Sequence, residues 1–368
     1  MAKEYDFSMY GYPSIYKNME RKLHVYFTEP ERGINENTGI LLLIPGFGGN
    51  SQSNVYKKMR NVFADKHNLV VVQCDYFGWE FMQKPNNITL NISKDSLLQI
   101  FTAKEVNYIF KDNNYFERLI EICGKYGFSI TCDEKLNEDL SNFNDMGLMQ
   151  AIDNVTAVIT VIEIIKDNNY KFDEGKIIAY GHSHGAYLAY LCNAFTKDLF
   201  TLIIDNSAWL FPAYLKSDRY VNTYYNNVLI TTKYSYLAKD IDYDEEILNL
   251  EFLYQNFENR CTIVCYHGTD DNLISNIDKE KFGKNINCFI YREVSFDKVD
   301  GEIFKNTNHG LGSDHLKLFD YTMEKYKFNF DNGKTLELDT VEYNTNIRRY
   351  CIDYINKVPR LKIANISV

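Results

Sequence analysis

No stretch of 18 or more consecutive apolar residues occurs in the 368-residue chain, so no transmembrane helix is expected and none is needed to explain its hydrophobic content. The opening residues, Met1-Ala2-Lys3-Glu4-Tyr5-Asp6, lack the apolar core and small-residue cleavage site of a signal peptide. Positive charge is in deficit: 40 Lys and Arg stand against 50 Asp and Glu, a net charge of −10. That balance argues against nucleic acid or an anionic membrane surface as the main partner. The eight cysteines, at 74, 123, 132, 192, 261, 265, 288 and 351, match no common zinc or redox spacing. Cys261 and Cys265 share a strand-like apolar run, where four residues span roughly 13 Å, too far for two ligands of one zinc. No metal and no cofactor is expected. Reduced thiols in a soluble cytoplasmic protein follow as the expectation.

Repeats and low-complexity tracts are also missing. What is present is an alternation of short β-branched runs with helical patterns, the signature of a mainly parallel sheet. Lys22 to Thr28 reads as an early strand. Gly39 to Ile44 (GILLLI) and Asn68 to Asp75 (NLVVVQCD) read as buried strands. Between them, with Ser51 or Ser53 as cap, Val55, Met59, Val62 and Phe63 would form one apolar helix face. Leu148, Ile152, Val155, Ile159 and Ile162 predict a strong helix. Strands are expected at Lys176–Tyr180, Phe200–Asp205, Cys261–Tyr266 and Asn287–Val294, and helices over 188–195 and Asp314–Tyr326. Two segments break the rhythm: 80–145, with helical stretches at Leu97–Phe110 and Phe116–Cys123, and 208–258, crowded with aromatic residues. Both are expected to be insertions in a single domain whose core covers 22–328. The C-terminal extension, 329–368, carries a candidate strand at Thr335–Leu338 and a candidate helix near Ile347–Ile355.

The segment that carries chemistry is Gly181-His182-Ser183-His184-Gly185. It fits G-x-S-x-G and lies between a predicted strand and a predicted helix. That context calls for a sharp turn that lifts the Ser183 hydroxyl above the sheet edge at a helix N-terminus. A serine hydroxyl is a poor nucleophile at neutral pH and needs a base, which needs an orienting acid. His309 sits in the Gly-flanked loop Asn308-His309-Gly310-Leu311-Gly312, which suits a reaching imidazole. His315, its rival, begins a predicted helix. Candidate acids are Asp270 and Asp271 in His267-Gly268-Thr269-Asp270-Asp271, and Asp205 at the end of the preceding strand. An oxyanion needs donors: the backbone N–H of His184, after the nucleophile, and that of Phe47 in Pro45-Gly46-Phe47-Gly48-Gly49. His182 and His184 form an H-x-H pair, but Ala186 and Tyr187 follow where a binuclear metal site needs Asp and His.

Together these motifs resemble the α/β-hydrolase superfamily over residues 22–328. The long 80–145 insertion and overall style are also similar to a bacterial branch of it associated with surface-glycan genes. The resemblance implies a mostly parallel central sheet flanked by helices, with a cap inserted over 208–258. It also implies that the fifth residue of H-G-x-x-D, Asp271, is the triad acid. Trp209, Phe211, Tyr214 and Tyr220 would then line the substrate pocket. The expected activity is that of a serine esterase acting on a small-molecule or glycan ester. An O-acyltransferase to a sugar hydroxyl, or a non-catalytic binding protein on the same scaffold, would carry the same residues. A peptidase would normally bring a large accessory domain.

Overall fold

Runs such as Gly39–Ile44 and Leu69–Cys74, in which every residue is buried, are strands covered on both faces. The structure, a computed structural model, describes residues 2–90, 92–326, 336 and 338–366. The chain folds into two compact units: Met1–Gln83, Leu140–Ala213 and Asp242–Val368 in one, Lys84–Asp139 and Tyr214–Ile241 in the other.

The first unit is built on an eight-stranded sheet. Its strands are β1 (Lys3–Tyr10), β2 (Lys22–Glu29), β3 (Gly39–Ile44), β4 (Leu69–Cys74), β5 (Ile177–His182), β6 (Leu202–Asn206), β7 (Thr262–Gly268) and β8 (Phe289–Val294). The order is β1-β2-β4-β3-β5-β6-β7-β8. β2 runs antiparallel to both its neighbours, and the remaining pairings are parallel. The longer helices of this unit are α1 (Asn54–His67), α2 (Leu148–Asp167), α3 (His184–Thr196), α4 (Asn276–Lys284) and α5 (His315–Lys325). This is the α/β-hydrolase fold.

One face of the sheet, with Leu41, Leu43, Val71, Ile178, Ile204 and Val264, packs on Met59 and Phe63 of α1 and Leu318 and Phe319 of α5. α2 is apolar and long enough to cross a membrane by length and composition, but 83% of that window is buried within the protein. Its polar residues Gln150, Asp153 and Asn154 are buried too, and are satisfied internally. Asp153 pairs with Arg21 and accepts from the Phe77 N–H at 2.8 Å.

Two expectations are corrected. Ser53 does cap α1, accepting from the Tyr56 N–H. The buried face, however, is Tyr56, Met59, Arg60, Phe63 and Ala64, while Val55 is 56% exposed. The Tyr56 ring out-competes the smaller Val55 for the core, and the Arg60 guanidinium is buried because it reaches the Ser51 carbonyl and Gln73. The helix expected near Ile347–Ile355 is instead a strand, Arg348–Asp353, the centre of a three-stranded antiparallel sheet with Val341–Asn344 and Arg360–Asn365. Tyr350 and Ile352, two apart, both point inward, which is the period of a strand. Tyr343 and Tyr354 hydroxyls tie this sheet to the end of α3, donating to the carbonyls of Ala194 and Phe195 at 2.7 and 2.6 Å. Of the expected strand at Thr335–Leu338, Thr335 and Glu337 lie outside the described residues, and neither Leu336 nor Leu338 is in a strand.

The second unit draws on both irregular segments. Ile130–Glu134 and Val228–Tyr234 pair in parallel, with Ile88–Thr89 and Arg219–Tyr225 at the edges. Helices at Lys94–Leu98, Ala103–Ile109 and Tyr115–Tyr126 supply Leu97, Val106, Ile109, Leu119 and Ile120 to a core with Ile130, Val228 and Ile230. The expected insertions are therefore each longer than their contribution to this unit. Asp242 to Glu258 returns to the first unit, with helices at Glu245–Leu248 and Leu250–Gln255.

Candidate active site

β5 ends and α3 begins within three residues, and Ser183 sits at the join with φ 53° and ψ −122°. A non-glycine residue holds that conformation only under strain, and such outliers collect at functional sites. The flanking glycines are fixed by proximity. A Cβ at Gly185 would lie 2.1 Å from the Ile44 carbonyl oxygen, and one at Gly181 would lie 2.3 Å from the Ala186 nitrogen. Only with both positions bare can strand, turn and helix approach this closely.

Ser183 Oγ lies 2.7 Å from His309 Nε2, and His309 Nδ1 lies 2.8 Å from Asp271 Oδ2. The Asp271 side chain is fully buried, and its other oxygen accepts the N–H groups of Leu273 and Ile274 at 2.9 and 3.1 Å. Burial pushes its pKa up, but the His309 partner and the backbone donors outweigh it and hold the group below the ordinary carboxylate value. An ionised carboxylate only accepts, so Nδ1 of His309 carries the proton and Nε2 faces the serine hydroxyl as acceptor.

The rivals go elsewhere. Asp270 accepts from the Thr307 hydroxyl. Asp205 forms a fully buried ion pair with Lys279 at 3.0 Å. His315 opens α5 with its ring 5.0 Å from that of His182. His267 stays in its own turn, with Nε2 3.0 Å from the Ile274 carbonyl.

The Gly46–Gly49 loop is closed by a 3.1 Å bond from the Gly49 N–H to the Gly46 carbonyl, with Gly48 at φ +80°. A Cβ at Gly46 would fall 2.5 Å from the His182 carbonyl oxygen, so this loop lies directly against the elbow. His184 is the first residue of α3, where a backbone N–H has no intrahelical acceptor. The Phe47 ring stands 5.2 Å from the His184 ring and 5.8 Å from that of Trp209. Phe47, His184 and Trp209 are thus brought together beside Ser183. Trp209, at 1% exposed, is a wall of this cluster and not a surface lining. Phe211 is half-buried in the same unit, whereas Tyr214 and Tyr220 belong to the second. There Tyr214 stacks on Tyr236, and Tyr220 is 60% exposed on the strand Arg219–Tyr225. Among the described residues no cluster of His, Cys, Asp or Glu could hold a metal ion.

Sequence reasoning missed Gln150. Its side-chain oxygen lies 2.6 Å from His184 Nε2, while its amide donates to the Phe77 carbonyl and to Asn144. Since Gln150 offers an acceptor, Nε2 of His184 carries the proton. The available signal was a Gln inside an otherwise apolar helix. Also missed were Asn206 and Ser207, which bind the loop of His309: the Gly310 N–H donates to Ser207 Oγ at 3.0 Å, and Asn206 donates to Ser313 Oγ at 2.6 Å.

His184 is fully buried, and burial pushes its pKa down from 6.5 to about 3. His182 is likewise lowered to about 3, by burial and then by its imidazole neighbours His315 and His309. An unfolded chain takes up a proton at residue 184 below pH 6.5, while the folded chain resists until about 3. Stability is therefore present above pH 6.5 and lost as pH falls through that window. His184 alone should cost about 2 kcal/mol on going from pH 7 to pH 5. Urea unfolding at the two pH values checks this: His184→Gln should show a shallower loss than wild type, and equal losses would remove His184 as the cause.

Residues 7–217, more than half of the chain, match the model of a family described as "Protein of unknown function (DUF2920)". The chain belongs to the DUF2920 family. The matched region contains Phe47, Ser183 and His184, and ends before Asp271 and His309. No curated protein matches the chain in sequence. Among solved structures, the chain is similar to Est1E from Butyrivibrio proteoclasticus with ferulic acid bound, at 14% identity and TM-score 0.44, covering 86% of this DUF2920 chain and 96% of that one. It is also similar to Pyrococcus horikoshii acylaminoacyl peptidase, at 12% identity and TM-score 0.48, covering 91% and 43%. A third is the S-formylglutathione hydrolase FrmB from Staphylococcus aureus, at 11% identity and TM-score 0.39, covering 88% and 95%.

Proposed function

We propose that this protein is a serine hydrolase that cleaves a carboxylic ester through an acyl-Ser183 intermediate. The observation that carries the reading is the unbroken hydrogen-bond chain from Ser183 Oγ through His309 to Asp271. Ser183 Oγ attacks the ester carbonyl while its proton passes to His309 Nε2. The backbone N–H groups of Phe47 and His184 receive the oxyanion. Collapse of the tetrahedral intermediate breaks the bond to the alcohol, which leaves with the proton from His309. Water then attacks the acyl-enzyme, giving its proton to His309 and releasing the acid and the free serine. Asp271 orients the imidazole and stabilises its charged form throughout. The substrate class is a short acyl chain on a small or glycan-like alcohol.

A fluorophosphonate probe tests the reading, because it reacts only with an activated serine. Wild-type protein should gain the mass of one probe less HF, since fluoride leaves as the serine oxygen bonds phosphorus, on the peptide containing Ser183, and Ser183→Ala protein should gain none. Wild-type protein that stays unlabelled, or labels on another residue, would overturn it.

A further inference from the structure

We infer that Lys279, through its ion pair with Asp205, is a positioning residue for the Ser183–His309 pair. The inference deepens the esterase reading and rests on it for its kinetic consequence. It starts from the four residues at the end of β6, Asp205 to Ala208, which contact both halves of the site. The Asn206 carbonyl accepts the Ser183 N–H at 2.8 Å. Ser207 Oγ accepts the N–H of Gly310, the neighbour of His309, at 3.0 Å, and the Asn206 amide donates to Ser313 Oγ at 2.6 Å. One short segment thus ties the nucleophile's backbone to the loop that presents the base.

Asp205 and Asn206 are paired in the sheet with β5 and β7, and the Ser207 N–H still donates to the Tyr266 carbonyl at 3.1 Å, but there the chain leaves the strand. Ser207 has φ +62°, a strained conformation that must be imposed from outside. The buried ion pair imposes it by gripping the next residue at both ends. Asp205 accepts the Ala208 N–H at 2.7 Å, and Lys279 Nζ donates to the Ala208 carbonyl at 3.0 Å. Asp205 and Lys279 are themselves 3.0 Å apart with both side chains fully buried. Tyr190 donates to Asp205 at 2.7 Å, and the Lys279 ammonium lies 4.9 Å from the Tyr190 ring centre and 5.6 Å from that of Phe282. The pair has no part in the proton path, since Asp271 already serves His309. Nor is stability a sufficient reason for it, because well-packed apolar residues commonly replace a buried pair without loss. What apolar residues could not supply is the two-ended grip on Ala208.

The test is the double variant Asp205→Asn with Lys279→Met. It removes both charges together, so neither is left buried and unpaired; the asparagine oxygen keeps an acceptor for the Ala208 N–H, and its NH2 can donate to the Tyr190 hydroxyl. With folding verified by circular dichroism and thermal melting, amide exchange of the 306–313 segment should quicken by about tenfold or more. The kcat for an activated ester should fall about 10- to 100-fold with KM within about threefold, the signature of misplaced reacting groups. Unchanged exchange overturns the inference, and so does quickened exchange with unchanged kcat. Should the double variant not fold, Ser207→Ala cuts the same tie with the ion pair intact: a lower kcat supports the inference and an unchanged one overturns it. If wild-type protein neither labels nor turns over ester, the esterase reading has failed, and the exchange measurement alone then decides whether the pair positions the loop.

Discussion

Ser183→Ala is expected to lower kcat for an activated ester by about 10^3-fold or more, with a melting temperature within a few degrees of wild type. The two halves of this prediction come from different properties of one residue. The loss of rate follows because Oγ is the atom that would form the acyl bond, and among the described residues no other hydroxyl bonds His309 Nε2 in its place. Residual turnover would come from oxyanion donors and substrate binding, which act on an attacking water as well. The near-constant stability follows because Ala and Ser carry similar strain at φ 53°, and because the lost hydrogen bond to His309 is a single one at a partly exposed ring. Steady-state kinetics on p-nitrophenyl acetate, paired with a thermal melt, checks both. A folded variant with wild-type kcat would remove Ser183 from the reaction.

The parts of this architecture that were readable in the residues are those set by local chemistry. GILLLI and LVVVQC announce buried strands because a nearly continuous apolar run of six residues suits a strand and is shorter than a typical buried helix. G-H-S-H-G declares its turn because bare positions at 181 and 185 are demanded by backbone atoms of the same turn and of β3. His309 could be preferred to His315 as the candidate base because a Gly-flanked loop and a helix start differ in what precedes and follows them. Three features were out of reach for a common reason: they depend on partners far away in the chain. The parallel pairing of Ile130–Glu134 with Val228–Tyr234 joins segments about a hundred residues apart, so neither segment alone reveals that both belong to one unit. The strand Arg348–Asp353 carries Tyr350 and Ile352 at a spacing too short to exclude a helix turn, and its two neighbours decided the matter. Asp205 looked like a candidate acid because it ends the strand that precedes the one leading to Asp271. The sequence contains no sign that Lys279, on α4, neutralises it.

Asp271→Asn should cost about 10^4-fold in kcat, more than its isosteric shape suggests, because the substitution changes which nitrogen of His309 carries the proton. With aspartate, Nδ1–H donates to Oδ2 at 2.8 Å, and Nε2 is left to accept from the serine. Asparagine can meet the Leu273 and Ile274 N–H groups with its oxygen, as Asp271 Oδ1 now does at 2.9 and 3.1 Å. Its NH2 group then faces Nδ1 and can only donate, so the ring must place its proton on Nε2. A protonated Nε2 cannot take the Ser183 proton, and the imidazolium formed during attack would lack its counter-charge. The neighbouring Asp270→Asn makes the comparison sharp. Asp270 is held by the Thr307 hydroxyl and makes no bond to His309, so its loss should lower kcat less than about tenfold. Equal losses at 270 and 271 would mean that the turn as a whole, and not one carboxylate, supports the base. A larger loss at 270 would assign the acid to the wrong member of the pair. The pH dependence of stability gives a second readout. Asp271 has its pKa held below the ordinary carboxylate value of 3.8, so its contribution is present above that pH and is lost as pH falls through its own lower value. Asp271→Asn should flatten the acid side of the unfolding profile below about pH 4 while leaving the profile above about pH 6 unchanged.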